Sequence, residues 1–503
     1  MKVSALVIAA VVSAGRIASA QTAPCASVSP DPDCTIGSFN APGCVPPVNA
    51  DTGKIQHVIV LMQENRSWDS YYATIGTAKC STFPPPAGET CVDKLGCDDC
   101  GSNPDPTNLS GPPIETFHQT AYCTEDTSHG WGGSHTEFNR ADQNSSTGLN
   151  DGFTTANVSA ADPTGRRAMG HYDAGDLNYY HALVRKFAFG DRYFSSILGP
   201  TYPNREYLLA ATSFGHITND LPPIPNGFPV DSIFTRLDAA GVSWKNYFNN
   251  LPQAGLVYSS PNTHFAPFAT FFADLASCVL PAPVCQLPDV SFVDPFFLIA
   301  GVTGLESTDE HPQNDIQEGQ LFVAAVIDAL ILSPVWKDSV LFLTYDEAGG
   351  FYDHVVPPAA CAPDGFAPGY CADKPGGGCT SLGQATSDNP GTVTVGFDRY
   401  GFRTPNAVIS PWVKPGHVSH VTADHTSILK FIETRFQLPT LTRRDANASD
   451  MTDYFDFAQD PASAPLFDPL DVLQTLPVPA FDPLRALMCI QNGVSVSDEL
   501  PLP

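Results

Sequence analysis

The stretch Val58-Ile59-Val60-Leu61-Met62-Gln63-Glu64-Asn65-Arg66-Ser67-Trp68-Asp69 decides the fold. Its apolar half is β-branched at the start and shows no alternation, which suits a strand buried on both faces of a sheet. The same pattern recurs far along the chain, where Val340-Leu341-Phe342-Leu343 runs into Thr344-Tyr345-Asp346-Glu347-Ala348-Gly349-Gly350-Phe351-Tyr352-Asp353-His354. Ala407-Val408-Ile409 reads as a third buried strand. Helical spacing covers 176–187 through Leu177, Tyr180, Leu183, Val184 and Phe187, and a longer, mostly buried helix covers 316–331. Asp424 can cap a further helix carrying Ile428, Phe431, Ile432 and Phe436 on one face. Helices alternating with short apolar strands predict an α/β fold with a largely parallel central sheet flanked by helices.

Around these elements the chain divides into four parts. Residues 1–20 read as a signal peptide: Lys2, an apolar stretch from Val3 to Ala14, and Ala18-Ser19-Ala20 ahead of the expected cleavage. Residues 21–54 form a leader rich in Pro and Cys, residues 55–457 the main domain, and residues 458–503 a Pro-rich tail packing on it. Long loops rich in Gly, Pro and Cys cover 78–115 and 357–395. The 14 Cys fit an oxidising compartment, with Cys278 and Cys285 a plausible local pair and Cys361, Cys371 and Cys379 sharing one loop. Cys97 and Cys100 could be half a zinc site, but no second pair completes it nearby, which favours disulfides. Asn108, Asn144, Asn157 and Asn447 begin glycosylation sequons, and Asn65 does so within the polar string. Secretion to the extracellular space is expected.

The net charge is −28, from 25 basic and 53 acidic residues among 503, and hydrophobic residues make up 43%. That balance excludes nucleic-acid binding through a basic face, and the apolar content excludes a disordered acidic chain. No apolar run reaches the roughly 18 residues needed to span a bilayer.

Polar residues cluster directly after the buried strands, where open α/β sheets bind ligands. Glu64, Asn65, Asp346 and Glu347 would converge there. Converging carboxylates repel unless a cation or proton lies between them, and a divalent metal with oxygen ligands resolves this. The spacing of either motif alone favours a helix cap or a turn; their joint placement after two buried strands favours a site. Gly199-Pro200-Thr201-Tyr202-Pro203-Asn204-Arg205 precedes an apolar helical segment. There Thr201 reads equally as an N-cap and as a hydroxyl at a helix N-terminus facing phosphate.

Four strings separate these readings: QENRSWD at 63–69, GPTYPNR at 199–205, DEHP at 309–312 and TYDEAGGFYDHV at 344–355. They resemble the phosphoesterase family of secreted phospholipases C and acid phosphatases. GFRTPNAVISPWV at 401–413 is similar to its late core strand, and Asp126, His129, Trp131 and Asp151-Gly152-Phe153 to an intervening segment. The resemblance runs from about Ile55 to Phe457. It implies an alkaline-phosphatase-like core with disulfide-stapled loops. It also implies one divalent metal on Glu64, Asn65, Asp346 and Glu347, with Thr201 as nucleophile and further ligand. His129, His311 and His354 are candidates for clamping phosphate or protonating the leaving group, with Asn204 and Arg205 assisting; for each His a purely structural role stays open. Oxygen ligands favour Ca²⁺, Mg²⁺ or Mn²⁺, with Fe and Zn as alternatives. The expected activity is phospholipase C-like hydrolysis through a phosphothreonine, the alternatives being an acid phosphatase on soluble monoesters and a non-catalytic secreted binder. The partner is the phosphate ester itself, with transient membrane-surface contact compatible and no protein partner implied.

Overall fold

Six of the seven residues of His57–Gln63 are buried, as are all seven of Ser339–Tyr345. Such segments have both faces to cover, and the chain supplies helices for both. In the computed structural model these two form adjacent parallel strands of a six-stranded sheet. The structure describes residues 40–75, 92–95, 100–220, 231–258, 263–278, 285–297, 307–370, 395–459 and 466–492, with Cys25 and Val393. The signal-like residues 1–20, most of the leader, Cys97, Cys371, Cys379 and much of the loops at 78–99 and 371–394 lie outside them.

The strands are β1 (His57–Gln63), β2 (Trp244–Phe248), β3 (Phe265–Pro267), β4 (Val290–Val293), β5 (Ser339–Tyr345) and β6 (Asn406–Ile409), in the spatial order β6-β5-β1-β4-β2-β3. All neighbours run parallel except β6, which is antiparallel to β5. The expected α/β architecture is therefore present. The third expected strand closes one edge in the opposite sense, a direction that an apolar run does not encode. The helices used below are α1 (Trp68–Tyr72), α2 (Trp131–Phe138), α3 (Asn178–Lys186), α4 (Thr201–Ala210), α5 (Ile316–Leu332), α6 (His425–Phe436), α7 (Pro469–Thr475) and α8 (Pro483–Asn492). Asp424 caps α6 in a capping box with Ser427, as its position in the sequence suggested.

Strand side chains alternate between faces, and this alternation sorts the helices. Val60 and Met62 share a small cavity with Leu208 and Leu209 of α4, and Phe342 meets Phe431 of α6 at 5.0 Å. On the other face Tyr345 meets Tyr71 of α1 and bonds, through Glu310, to Tyr180 of α3. Helix α5 packs beside α3 and α7 on that same side.

Disulfides Cys25–Cys44, Cys123–Cys489 and Cys278–Cys285 are formed, and Cys100 and Cys361 are also disulfide-bonded. The zinc reading of Cys100 is thereby replaced. The second bridge spans 366 residues and pins α8, in the tail, to the segment leading into Asp126. Among the sequons, Asn108 and Asn144 are exposed. Asn157 and Asn447 are buried, the first bonded to Ser128, Phe153 and Gly350 and the second to Asn40. Neither can carry a glycan in the folded chain, a correction to the sequence expectation. Among the described residues no helix is long and apolar enough to cross a membrane. Replacing both Cys123 and Cys489 by Ala releases the long loop and should lower unfolding free energy by about 2–4 kcal/mol, measured by denaturant titration under non-reducing conditions.

Candidate active site

The in-register pairing of Gln63 with Tyr345 makes β1 and β5 end side by side. Glu64 and Asp346 follow at the next position. Alternation turns both toward the α4 face, and Arg205 of α4 meets them there. Its Nε donates to Asp346 Oδ2 at 3.2 Å and its Nη2 to Glu64 Oε1 at 3.3 Å and to the Gln63 carbonyl at 3.1 Å. Asp346 Oδ1 accepts from the backbone N–H of Asn65 at 3.0 Å and of Glu347 at 2.7 Å. Asn65 adopts φ 59°, a left-handed turn that Asn tolerates better than most residues. Gly349 (φ 64°) lets the second loop press on the first, since a Cβ there would lie 2.1 Å from the Asn65 carbonyl oxygen.

The polar groups are unevenly satisfied. Asn65 Oδ1 and Glu347 Oε1 are buried without a hydrogen-bond partner. His129 explains the first: its Nδ1 donates to the Thr127 carbonyl at 2.6 Å, so Nε2 faces the Asn65 amide at 3.3 Å as acceptor. That contact uses the Asn65 NH₂ and leaves its oxygen free. Burial, then the neighbouring Asp309 carboxylate, pushes the Glu64 carboxyl well above its usual range, against the pull of Arg205. Burial likewise raises Asp346, with Arg205 opposing, and raises Glu347 strongly, with Asp346 adding to it. Such a group is satisfied by a cation. The orphaned oxygens of Asn65 and Glu347 adjoin the carboxylates of Glu64 and Asp346 in sequence, and all are oxygen donors of the type a hard divalent ion prefers. Each carboxylate oxygen accepts more than one bond, so the Arg205 contacts orient these groups without exhausting them.

A second donor cluster adjoins the first through His129. Asp126, His129 and His311 offer ligand atoms within 4.8 Å of one another, and the two rings stand 5.6 Å apart, edge to face. Burial lowers the His311 pKa, with Asp126 opposing, and its Nδ1 has no partner.

Thr201 is the first residue of α4, not its cap: Pro200 holds that position and no side chain caps the helix. The Thr201 hydroxyl makes no hydrogen bond among the described residues. Residues four apart share a helix face, so Thr201 lies on the side from which Arg205 reaches Glu64 and Asp346. Asn204 is committed elsewhere. Its Oδ1 accepts from Ile197 N–H at 3.0 Å and its Nδ2 donates to the Gly199 carbonyl at 2.8 Å, which ties down the turn that presents Thr201.

His354 is also placed apart. Its Nδ1 bonds Asp69 at 2.7 Å and its Nε2 bonds Asp93 at 3.1 Å, in a network with Arg403 and Asp353. Both ring nitrogens face carboxylates of this network, not those after β1 and β5. The sequence reading gave no role to Asp309, whose carbonyl accepts from Glu64 N–H at 2.8 Å, although it stands inside the DEHP string. Nor did it single out His425, whose Nε2 donates to the Asp346 carbonyl at 2.7 Å and whose pKa burial pushes down to about 3. As the first residue of an ordinary amphipathic helix, His425 carries no sequence signal.

The phosphoesterase family model matches residues 55–439. The chain is 33% identical over 482 residues to phospholipase C B of Mycobacterium tuberculosis, spanning 88% of this chain and 84% of that one. It is 30% identical over 425 residues to non-specific phospholipase C1 of Arabidopsis thaliana, spanning 81% and 72%. A solved protein of the alkaline phosphatase superfamily from Vibrio parahaemolyticus overlaps 55% of this chain and 64% of its own, at 9% identity and TM-score 0.31. The family model and the phospholipase C relatives make this a hydrolase of phosphoric esters. The chain belongs to the phosphoesterase family.

Although burial opposes it, the Asp69 carboxylate and the bonds to Asp69 and Asp93 raise the His354 pKa from 6.5 to about 9. A raised folded-state pKa stabilises fully below the unfolded value, and that stabilisation is lost as pH climbs through the folded value. Stability should therefore fall by roughly 3 kcal/mol between about pH 6 and 10. Denaturant midpoints across that range should show this loss in the wild type and a flatter profile in His354→Gln.

Proposed function

We propose that this protein is a secreted, metal-dependent phosphoesterase of phospholipase C type, with Thr201 as nucleophile. One divalent cation, of the Ca²⁺, Mg²⁺ or Mn²⁺ kind, is held by Glu64, Asn65, Asp346 and Glu347, with Thr201 as a further ligand. The observation carrying the reading is that Thr201, its hydroxyl unbonded, stands on the helix face from which Arg205 grips Glu64 and Asp346. The phospholipase C names of the relatives support the diester as substrate. Secretion is supported by the signal-like residues 1–20 and by the disulfides.

A bound divalent cation supplies positive charge against the nonbridging oxygens and lowers the pKa of a hydroxyl it binds. Thr201 Oγ attacks phosphorus in line, forming the O–P bond as the ester's alcohol departs. The proton leaving the Thr201 hydroxyl passes to the neutral imidazole of His129, beside Asn65, or of His311, beside His129, and from there to the departing alcohol oxygen. Water then attacks the phosphothreonine, releasing the phosphorylated head group and restoring the hydroxyl. The first N–H groups of α4 face the developing negative charge. Arg205 fixes the two carboxylates, Asn204 fixes the turn before Thr201, and His354 fixes the Asp69–Arg403 network behind the site.

Thr201→Ala should reduce turnover by at least about a thousandfold with an unchanged circular dichroism spectrum. Near wild-type rates on both phosphatidylcholine and p-nitrophenyl phosphate would sink the assignment. The ratio of those two rates separates phospholipase from monoesterase, a large aryl-monoester preference favouring acid phosphatase. Separately, Glu64→Ala and Asp346→Ala should each lower bound divalent metal, read by elemental analysis after dialysis; undiminished content would remove them as ligands.

A further inference from the structure

Beneath the site, on the sheet face opposite Arg205, lies a single buried carboxylate. Glu310 has no solvent exposure and a φ of 69°. Its Oε2 accepts from the hydroxyls of Tyr71 and, at 2.8 Å, Tyr345; its Oε1 accepts from the hydroxyl of Tyr180 and, at 3.0 Å, the amide of Gln63. A carboxylate has about four lone-pair positions, and four donors fill them. The backbone is held as well: Arg66 Nε donates to the Glu310 carbonyl at 2.9 Å. Helix α5 makes room for the side chain with Gly319, where a Cβ would lie 2.1 Å from Glu310 Cγ.

The donors come from the segments that build the site. Gln63 is the last residue of β1, directly before Glu64 and Asn65, and Tyr345 is the last of β5, directly before Asp346 and Glu347. Glu310 itself stands between Asp309, whose carbonyl accepts from Glu64 N–H, and His311, beside His129. Strand alternation turns Gln63 and Tyr345 down as Glu64 and Asp346 turn up. The left-handed backbone at Glu310 does the same for its own segment, sending its side chain down between two neighbours that face the site.

We propose that Glu310 is the positioning residue of the centre: through Gln63 and Tyr345 it sets the relative placement of the three segments bearing Glu64–Asn65, Asp346–Glu347 and His311. Tyr71 and Tyr180 saturate the carboxylate and fix its orientation. The proposal rests on the phosphoesterase reading of those residues and deepens it. A Gln at 310 keeps the size but presents an NH₂ to donors, so two of the four bonds are lost and the strand ends gain freedom. Groups that orient metal ligands from behind typically change affinity or rate by about 10–100-fold when altered.

The test compares wild type with Glu310→Gln and with Tyr180→Phe, which removes one donor and keeps the ring. Per folded molecule, Glu310→Gln should lower kcat by about 10–100-fold with KM within about threefold, and weaken Mn²⁺ binding to the metal-free protein, measured by calorimetry, by a similar factor. The ring NMR signals of His129 and His311 should shift, independently of turnover. Tyr180→Phe should fall between, and carries the test alone if Glu310→Gln does not fold. A loss of activity that only tracks the folded fraction, with kcat and Mn²⁺ affinity per folded molecule within twofold of wild type, would overturn the proposal. If wild type hydrolyses no phosphate ester, the functional reading falls instead, and the Mn²⁺ and NMR comparisons still decide the role of Glu310.

Discussion

Everything at this site depends on repulsion between buried negative charges. Glu64, Asp309, Asp346 and Glu347 meet at the carboxyl ends of two adjacent strands, and Arg205 is the guanidinium set among them. Burial drives Glu64, Asp346 and Glu347 toward neutrality, and neighbouring carboxylates drive Glu64 and Glu347 further. A fold that keeps them together must hold their backbones rigidly. The in-register parallel pair β1–β5, the glycine pressed on Asn65 and the backbone donors to Asp346 do that holding.

The period of a strand then sorts the surroundings into two chemistries. Above the sheet, Arg205 reaches Glu64 and Asp346 from a helix whose first residue is Thr201, so the proposed nucleophile and the charge partner arrive on one rigid element. Below it, Glu310 gathers hydroxyl and amide donors. The upper side leaves Asn65 Oδ1 and Glu347 Oε1 without partners, whereas below the sheet both oxygens of the Glu310 carboxylate are paired. Unsatisfied buried groups are costly, and satisfied networks rigidify; the contrast between Asn65 and Glu347 above and the Glu310 carboxylate below agrees with the proposed division into ligand site and support.

Much of this was legible in the sequence because two runs, Val58–Met62 and Val340–Leu343, are apolar throughout and each ends in acid. The other strands hid for physical reasons. Trp244–Phe248 carries Lys245 and Asn246, and Asn246 is buried only because Asp294, Ala254 and Phe292 bond it. Val290–Val293 is four residues long and contains Ser291, too short for a periodic signal. His354 stands inside a site string, yet its partners Asp69 and Asp93 are 285 and 261 residues away in sequence, and only folding shows them. The tyrosines on Glu310 come from three separate elements, so nothing local in the chain announces their convergence.

The acid excess of the whole chain, −28, opposes an anionic substrate, and the buried carboxylates oppose it more strongly at short range. Arg205 cannot reverse that field alone, being already bonded to two of them. His311 is held toward its uncharged form by burial. The dipole of α4 adds about half a positive charge at its N-terminus, less than one carboxylate. On the proposed reading the electrostatics therefore impose an order: a divalent cation must be in place before a phosphate ester is tolerated, and its affinity is then coupled to the ester's. On that reading, whatever negative charge the unloaded carboxylates carry would repel a phosphate ester, and a cation among them would relieve that repulsion.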